Sequence, residues 1–558
     1  MSYPRDSLIE KEMLSLYRYS CLSTEANSPR PSMSILTETN GIIRASCIDD
    51  NIRTSLEPTK YKGRIRTWPG LTLLLLLLGA AIFFIPFGAY KNRQARQEQA
   101  RRAARFKFNR HKIRGGSELD VPDLVSDDGI VGNPKQYPAT DCKLPNYLSK
   151  NGKLYAVADN GTEVPFTIKG INWFGMEELN AIPFGLWQNT NNGTTAYQIA
   201  AFLSGNNFNS VRLPLMIQHI LTNQAPNPTL INRNENRAIS ISSYFSLLKS
   251  IIRALQYREI SVVLSLHTLT VADTGGLWYN EEISYKDYLT AVDLVTSNLC
   301  SDEYWNVLGV DLKNEPFEAT WGDGTETDFV KAAETIGNRM LAGCSKWLAF
   351  VEGVFESREA IIDGKLIEYN DWYGGGLAGA KNIGVHFNHH QKLVWAPHYY
   401  SSSVYPQDYF YAQPHRDETT GLLDAYIELS NKTLRKRIEG TMESMFGFLA
   451  SKSGPALLMG EFGGLYSKDQ HPKKTTQRTL DIIIDIISSP DWAGGFVWSL
   501  NPESIFQYSR PEEYGDFKEG LLKADWLSAD ENYLQALRKM DSMRHLQKLP
   551  CFSDDSSR

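Results

Sequence analysis

A chain of 558 residues with a 42% apolar share is too long for one small domain and carries ample material for a large buried core. Its formal net charge of −6 hides an uneven distribution: residues 67–115 hold 10 Lys and Arg against 1 acidic residue, and residues beyond them hold 38 against 55. An acidic body argues against nucleic acid as a partner, since phosphate binding needs a positive face. Six cysteines with no Cys-x-x-Cys pair argue against zinc ribbons, thioredoxin-type sites and a disulfide scaffold.

Taken in chain order, residues 1–66 are rich in Ser, Thr and other polar types and read as a mostly disordered tail that includes Cys21 and Cys47. Residues 67–90 contain no charge and read as a transmembrane helix, because about 20 apolar residues span a bilayer. Trp68 and Tyr90 bracket that stretch as interfacial aromatics do. Membrane lipid is therefore an expected partner. Residues 91–145 form a basic neck and linker: helix formers run to Arg114, and Gly115 breaks them. This neck suits a solvated helix or adhesion to anionic lipid.

Orientation pulls two ways. Lys91, Arg93, Arg96, Arg101, Arg102 and Arg105 outweigh the basic residues before the span, which by the positive-inside rule favours a cytoplasmic body. Asn-x-Ser/Thr sequons at Asn160, Asn192 and Asn431, together with the substrate expected below, favour the outside. A body outside the cell, with glycan on some of these asparagines, is the expectation.

From about residue 146 to 545 short apolar runs alternate with amphipathic helical stretches. The runs are 166–173, 210–214, 261–267, 308–314, 347–351, 393–398, 456–461 and 495–499. Helical patterns occupy 197–203, 244–255, 328–341, 433–451 and 477–487. Eight strands with helical crossovers predict an α/β fold of the (β/α)8 TIM-barrel type. A doubly wound sheet would want a Gly-rich phosphate turn after its first strand, and none is present. Residues 546–558 read as a C-terminal tail. Cys142, Cys300, Cys344 and Cys551 suit one or two bridges in an oxidising compartment, or equally free buried thiols.

What ends these strands carries the function. In order they close on Trp173, Arg212, His267, Asn314-Glu315, His398 with Tyr400, Glu461 and Trp498. Barrel enzymes do their chemistry at that end. Glu315 after strand four and Glu461 after strand seven would face each other across the mouth, as retaining glycoside hydrolysis requires. One attacks the anomeric carbon, while the other protonates the departing oxygen and later activates water. Asn314 suits a sugar 2-hydroxyl, Arg212 and Tyr400 suit a nucleophilic carboxylate, and His267 and His398 suit hydroxyl groups. Trp173, Trp278 and Trp498 offer flat apolar faces for pyranose rings.

The strings SVRLPL, LSLH, DLKNEP, WAPHYY, MGEFGG and FVWSLNP, in this order, resemble glycoside hydrolase family 5, the cellulase family. INWFGMEELN, FGLW, AAETIGNRML, FVEGV, YNDWYGGGLAGA and SSVYPQ extend the likeness to bacterial endo-β-1,4-glucanases over about residues 165–527. The resemblance implies Glu315 as acid/base and Glu461 as nucleophile. It also implies substrate or supporting roles for Arg212, His267, Asn314, His398, Tyr400 and Trp498, and a β-glucan substrate; from the residues themselves no cofactor or metal is expected. Two departures are visible: Leu500 stands where the family has a second tryptophan, and 505–519 resembles an insertion before GLLKADW.

Glu352 in FVEGV is a third candidate carboxylate, read as structural. His386, His389 and His390 read as solvated loop residues. Exo-β-1,3-glucosidase, mannanase, glucosyl-lipid hydrolase and a non-catalytic glucan receptor are the alternative readings.

Overall fold

The computed structural model describes residues 68–113, 132–189, 192–273 and 275–553. The tail 1–66 lies outside the described residues. Helix α1 (Trp68–Ile113) is one continuous helix of 46 residues that takes in both the apolar stretch and the basic residues after it. Ala, Arg, Gln and Glu beyond Tyr90 are good helix formers, so nothing interrupts propagation there. Its stretch Trp68–Gln97 is long and apolar enough to cross a membrane, and none of its apolar window is buried against protein.

The remaining described residues build a parallel barrel. Its strands are β1 (Ile168–Asn172), β2 (Ser210–Met216), β3 (Ser261–Thr268), β4 (Val307–Asp311), β5 (Leu348–Val351), β6 (Leu393–Trp395), β7 (Ala456–Leu457 with Met459–Gly463) and β8 (Gly494–Trp498). Each neighbours the next, β8 pairs back onto β1, and all these pairings are parallel. The two parts of β7 face different neighbours, β6 and β8; Leu458 between them donates its N–H to the Trp395 carbonyl at 2.9 Å and keeps the ring continuous. The β8–β1 seam needs a glycine: a Cβ on Gly494 (φ +98) would stand 1.9 Å from the Ile168 carbonyl oxygen.

Helices α2 (Ala196–Gly205), α3 (Tyr244–Gln256), α4 (Tyr285–Leu299), α5 (Phe329–Gly343), α6 (Asn431–Met445), α7 (Thr475–Ile487) and α8 (Glu531–Leu537) follow the strands. Most place one apolar side in the core, as Leu247, Leu248, Ile251, Ile252 and Leu255 do on α3, while α2 is buried nearly all round. Between β5 and β6 an antiparallel hairpin, Ser357–Ile362 with Lys365–Asn370, and a short 3₁₀ turn stand where a long crossover helix would be. The insertion expected at 505–519 is a second hairpin, Ile505–Arg510 with Glu513–Lys518. Glu519 ties its end to the loop after β7 by accepting the N–H groups of Tyr466, Ser467 and Lys468 at 3.0, 2.7 and 2.8 Å.

One end of the barrel is closed. A three-stranded sheet, Asn146–Lys150, Lys153–Val157 and Glu163–Phe166, lies against the chain entering β5, β6 and β7. Tyr147 and Ser149 donate backbone N–H groups to Lys346 and Gln391, and the Ala456 N–H reaches the Ser149 hydroxyl. That leaves the opposite end, where the strands finish, open to substrate.

The folded body is larger than the interval 146–545. Asn133 is buried and donates to the Asn234 carbonyl at 2.7 Å, while Gln547 and Leu549 bond to Asn209 and Glu259. Cys142 pairs with Cys551, and beside that bridge the Lys143 N–H meets the Phe552 carbonyl at 2.7 Å. So the segment read as a C-terminal tail is packed in as far as Phe552. The second disulfide, Cys300–Cys344, joins the C-terminal caps of α4 and α5. All four body cysteines are bridged, which removes the free-thiol alternative.

Candidate active site

Arg212 on β2 organises the open end. Its guanidinium is buried and donates to Asn172 on β1 (2.9 Å), Asp311 on β4 (2.8 and 3.1 Å), Asn314 (2.8 Å) and Glu352 after β5 (3.2 Å). It also donates to Glu461 on β7. Burial disfavours its charge, but Glu461, Asp311 and Glu352 outweigh that and hold the guanidinium above its usual range. One cation on β2 thus gathers side chains from four other strands, β1, β4, β5 and β7.

Glu461 is 3% exposed. One carboxylate oxygen accepts from Arg212 and the other from the Tyr400 hydroxyl. Burial pushes this carboxyl up; His398, Arg212 and the Tyr400 hydrogen bond pull it down, and Glu315 pushes it up again. Glu315 is equally buried and sits at φ +43, a left-handed conformation that costs a non-glycine residue about 1–3 kcal/mol and clusters at functional sites. Its backbone N–H donates to Glu352 at 2.7 Å, and its carboxyl oxygen lies 2.9 Å from Nδ1 of His398. An oxygen of Glu315, a ring nitrogen of His398 and an oxygen of Glu461 all lie within 4.8 Å of one another.

His398 is registered to Glu461 by a parallel bridge beyond the end of β6, and the Tyr399 N–H donates to the Glu461 carbonyl at 3.0 Å. His267 stands at the end of β3 with Nδ1 3.3 Å from the Ser265 hydroxyl; burial, then Arg212 and Lys313, hold its imidazole well below the usual value. Asn314 is fixed by Arg212 at its side chain and by the Leu266 carbonyl at its N–H. Trp498 is half-buried at the end of β8, in an offset row with Phe174 (5.5 Å, 10°) and His267 (5.9 Å, 12°).

The structure corrects two aromatic assignments. Trp173 is 1% exposed, with its indole N–H on the Phe184 carbonyl at 3.0 Å. Trp278 is 2% exposed and packs among Tyr279, Tyr285 and Phe329. Neither presents an open face to a sugar. Of the three tryptophans, Trp498 alone keeps exposed surface. The loop histidines His386, His389 and His390 are exposed and, among the described residues, form no cluster with a carboxylate.

Sequence reasoning passed over Asn172, Asp311 and Lys313, and gave Glu352 only a structural or supporting role. Asp311 and Lys313 stand inside DLKNEP, and Glu352 closes the β5 run, so each carried the same strand-end signal as the residues that were selected. Burial pushes the Lys313 amine down to about 8. Its amine donates to the His267 carbonyl at 3.4 Å.

A parallel eight-stranded barrel with two buried carboxyl groups this close, one after β4 and one on β7, defines a (β/α)8 glycosidase that hydrolyses glycosidic bonds. Cellulase (glycosyl hydrolase family 5) matches residues 157–504, and the chain belongs to that family. It is 29% identical over 396 residues to the major extracellular endoglucanase of Xanthomonas campestris pv. campestris, covering 70% of this chain and 71% of that protein. It is 26% identical over 385 residues to an endoglucanase of Paenibacillus polymyxa, covering 68% and 83%. Among solved structures it is similar to the cellotetraose complex of a variant endocellulase from Pyrococcus horikoshii, with TM-score 0.58, 26% identity, and coverage of 71% and 99%.

Proposed function

We propose that the chain is a single-pass membrane enzyme that cleaves internal β-1,4 bonds of glucan by the two-step retaining route. The observation that carries this is the closeness of Glu315 and Glu461: oxygens within 4.8 Å suit carboxyl groups about 5–5.5 Å apart and not the 6.5–9.5 Å or so that leaves room for a water in inverting enzymes. Glu461 attacks the anomeric carbon while the proton of Glu315 passes to the leaving glycosidic oxygen, whose bond to that carbon breaks. Water then attacks the same carbon, Glu315 takes its proton, and the bond to Glu461 breaks. Arg212 and Tyr400 hold the Glu461 charge in place, Asn314 faces the 2-hydroxyl, and Trp498 supports the ring. A β-1,4-linked glucan is favoured by relatives named endoglucanase and by the cellotetraose complex of the Pyrococcus protein.

Helix α1 supplies the anchor, with the body outside the cytoplasm. Two disulfides support that placement, since they persist in oxidising compartments. So do the exposed sequon asparagines Asn160, Asn192 and Asn431, and the extracellular relative. The basic flank after Tyr90 pulls the other way. Cellotetraose hydrolysis followed by NMR is expected to release β-anomers first, and inversion would overturn the mechanism. Preference for laminarin or mannan with cellulosic substrates untouched would overturn the linkage. Protease added to intact cells is expected to digest the body, and a protected body with a digested tail would reverse the topology.

A further inference from the structure

Strand β5 runs into Glu352, a fully buried carboxyl that no step above uses. Its Oε2 accepts the backbone N–H of Glu315 at 2.7 Å. Its Oε1 lies 3.1 Å from Nε2 of His398 and 3.2 Å from Nη2 of Arg212. The other nitrogen of the same imidazole, Nδ1, lies 2.9 Å from Oε1 of Glu315. Glu352 therefore touches the acid/base twice, once at its backbone and once through His398. Space for this is left at Gly374, where a Cβ would stand 2.4 Å from Oε2 of Glu352 and 3.1 Å from the His398 ring.

We propose that Glu352 is a positioning residue for the acid/base: as the charge partner of Nε2 of His398 at 3.1 Å it favours a hydrogen on that nitrogen, so that the exchangeable proton of the pair lies between Nδ1 and Glu315, and it anchors the Glu315 backbone. The proposal rests on reading Glu315 as acid/base. A carboxylate facing one ring nitrogen selects the tautomer with its hydrogen there. Glu315 and His398 then share one proton in the 2.9 Å gap. Losing it would leave a carboxylate facing the Nδ1 lone pair, so the pair keeps its proton until the leaving oxygen takes it. Water returns that proton in the second step, and the balance closes without any further reactant.

The charges around the pair fit this role. Arg212 faces it from β2, His267 from β3, Asp311, Lys313 and Glu315 from β4 and the turn after it, and Glu461 from β7, with Nδ1 of His398 3.6 Å from a Glu461 oxygen. Burial works against a charged imidazole, but Glu352 and Glu461 outweigh it and hold His398 well above its usual value. Burial, then Asp311, push the Glu352 carboxyl up to about 8 against the pull of His398 and Arg212.

Glu352→Gln in the full-length chain separates this from a merely structural role. An amide whose oxygen keeps the Glu315 N–H must turn its NH₂ toward Nε2, which moves the imidazole hydrogen to Nδ1 and favours the Glu315 carboxylate. With cellotetraose, whose leaving group needs a proton, kcat/KM is expected to fall about 10–100-fold, the range typical of partners that orient a functional imidazole. The alkaline limb of its pH profile is expected to move down by about one unit, because a hydrogen bond to the charged form now favours it. Dinitrophenyl 2-deoxy-2-fluorocellobioside needs no proton to leave, so trapping of Glu461 should stay within about threefold of the unaltered chain. Equal losses with both substrates, or no loss and an unmoved limb, would overturn the proposal. If Glu352→Gln does not yield folded protein, Glu352→Asp is read on the same pair of substrates, and equal losses there overturn it as well. Failure of the unaltered chain to be trapped would instead strike the Glu315 and Glu461 assignments beneath it.

Discussion

Glu461 and Glu315 are the same residue type, both buried, with oxygens within 4.8 Å of each other, yet their surroundings differ in kind. Glu461 sits within a strand and receives a guanidinium on one oxygen and a phenol on the other. Glu315 sits past the end of β4 in a left-handed conformation, with an imidazole against its carboxyl and a second carboxyl holding its backbone. Fixed donors favour a carboxylate that stays charged and attacks; a proton-exchanging neighbour favours one that gives and takes a proton. In the proposed mechanism, partners and not residue type divide the labour.

The sharpest way to break this division is at Glu461. Glu461→Gln is expected to lose at least about 10⁴-fold in kcat on every substrate, including those with activated leaving groups, because no glycosyl-enzyme forms. Glu461→Ala with azide should give the α-glycosyl azide, since attack then occurs once. Glu315→Ala should lose about 10²–10⁴-fold on glucan, the usual scale of general acid/base assistance. It should still release dinitrophenol from an activated cellobioside, and azide should rescue it as the β-glycosyl azide. Opposite azide stereochemistry in the two variants would exchange the roles.

A smaller effect tests the donors. Tyr400→Phe removes a hydrogen bond to a charged group, worth about 1.5–3 kcal/mol, or roughly 10–100-fold in kcat/KM. That hydrogen bond pulls Glu461 down, so its loss raises the carboxyl further and more alkaline solution is needed to ionise it. The acidic limb of kcat/KM should therefore move to higher pH; a limb that stays put would show that Glu461 does not set it. The smallest catalytic effect is expected far from both carboxylates. Cys142→Ser with Cys551→Ser should cost about 2–5 kcal/mol of stability, read as a lower Tm. At 25 °C kcat/KM should stay within about twofold, because that bridge joins the segment before the barrel to the segment after it and touches no strand end.

How much of this was visible beforehand follows from how local each feature is. Strand β4 with Asn314 and Glu315, and β7 with Glu461, could be read because an apolar run and the polar residue that ends it are neighbours in the chain. Their order around a barrel then places them at one mouth. The pairings that give them different roles are not local. Arg212 meets Glu461 across 249 positions, and His398 meets Glu315 across 83.

By itself the sequence determined the barrel, its open end, the two carboxylates and a membrane-length apolar helix, since periodicity and strand-end chemistry are properties of short segments. Tertiary structure decided the rest. It buried Trp173 and Trp278, whose faces a linear reading left open, and it paired the four body cysteines in one of the ways that spacing alone allowed. It also packed the last residues to Phe552 against the body and brought Glu352 to both the backbone and the imidazole partner of the acid/base. Burial and hydrogen-bond partners are set by what the fold brings within a few ångströms, and that distance is not written along the chain.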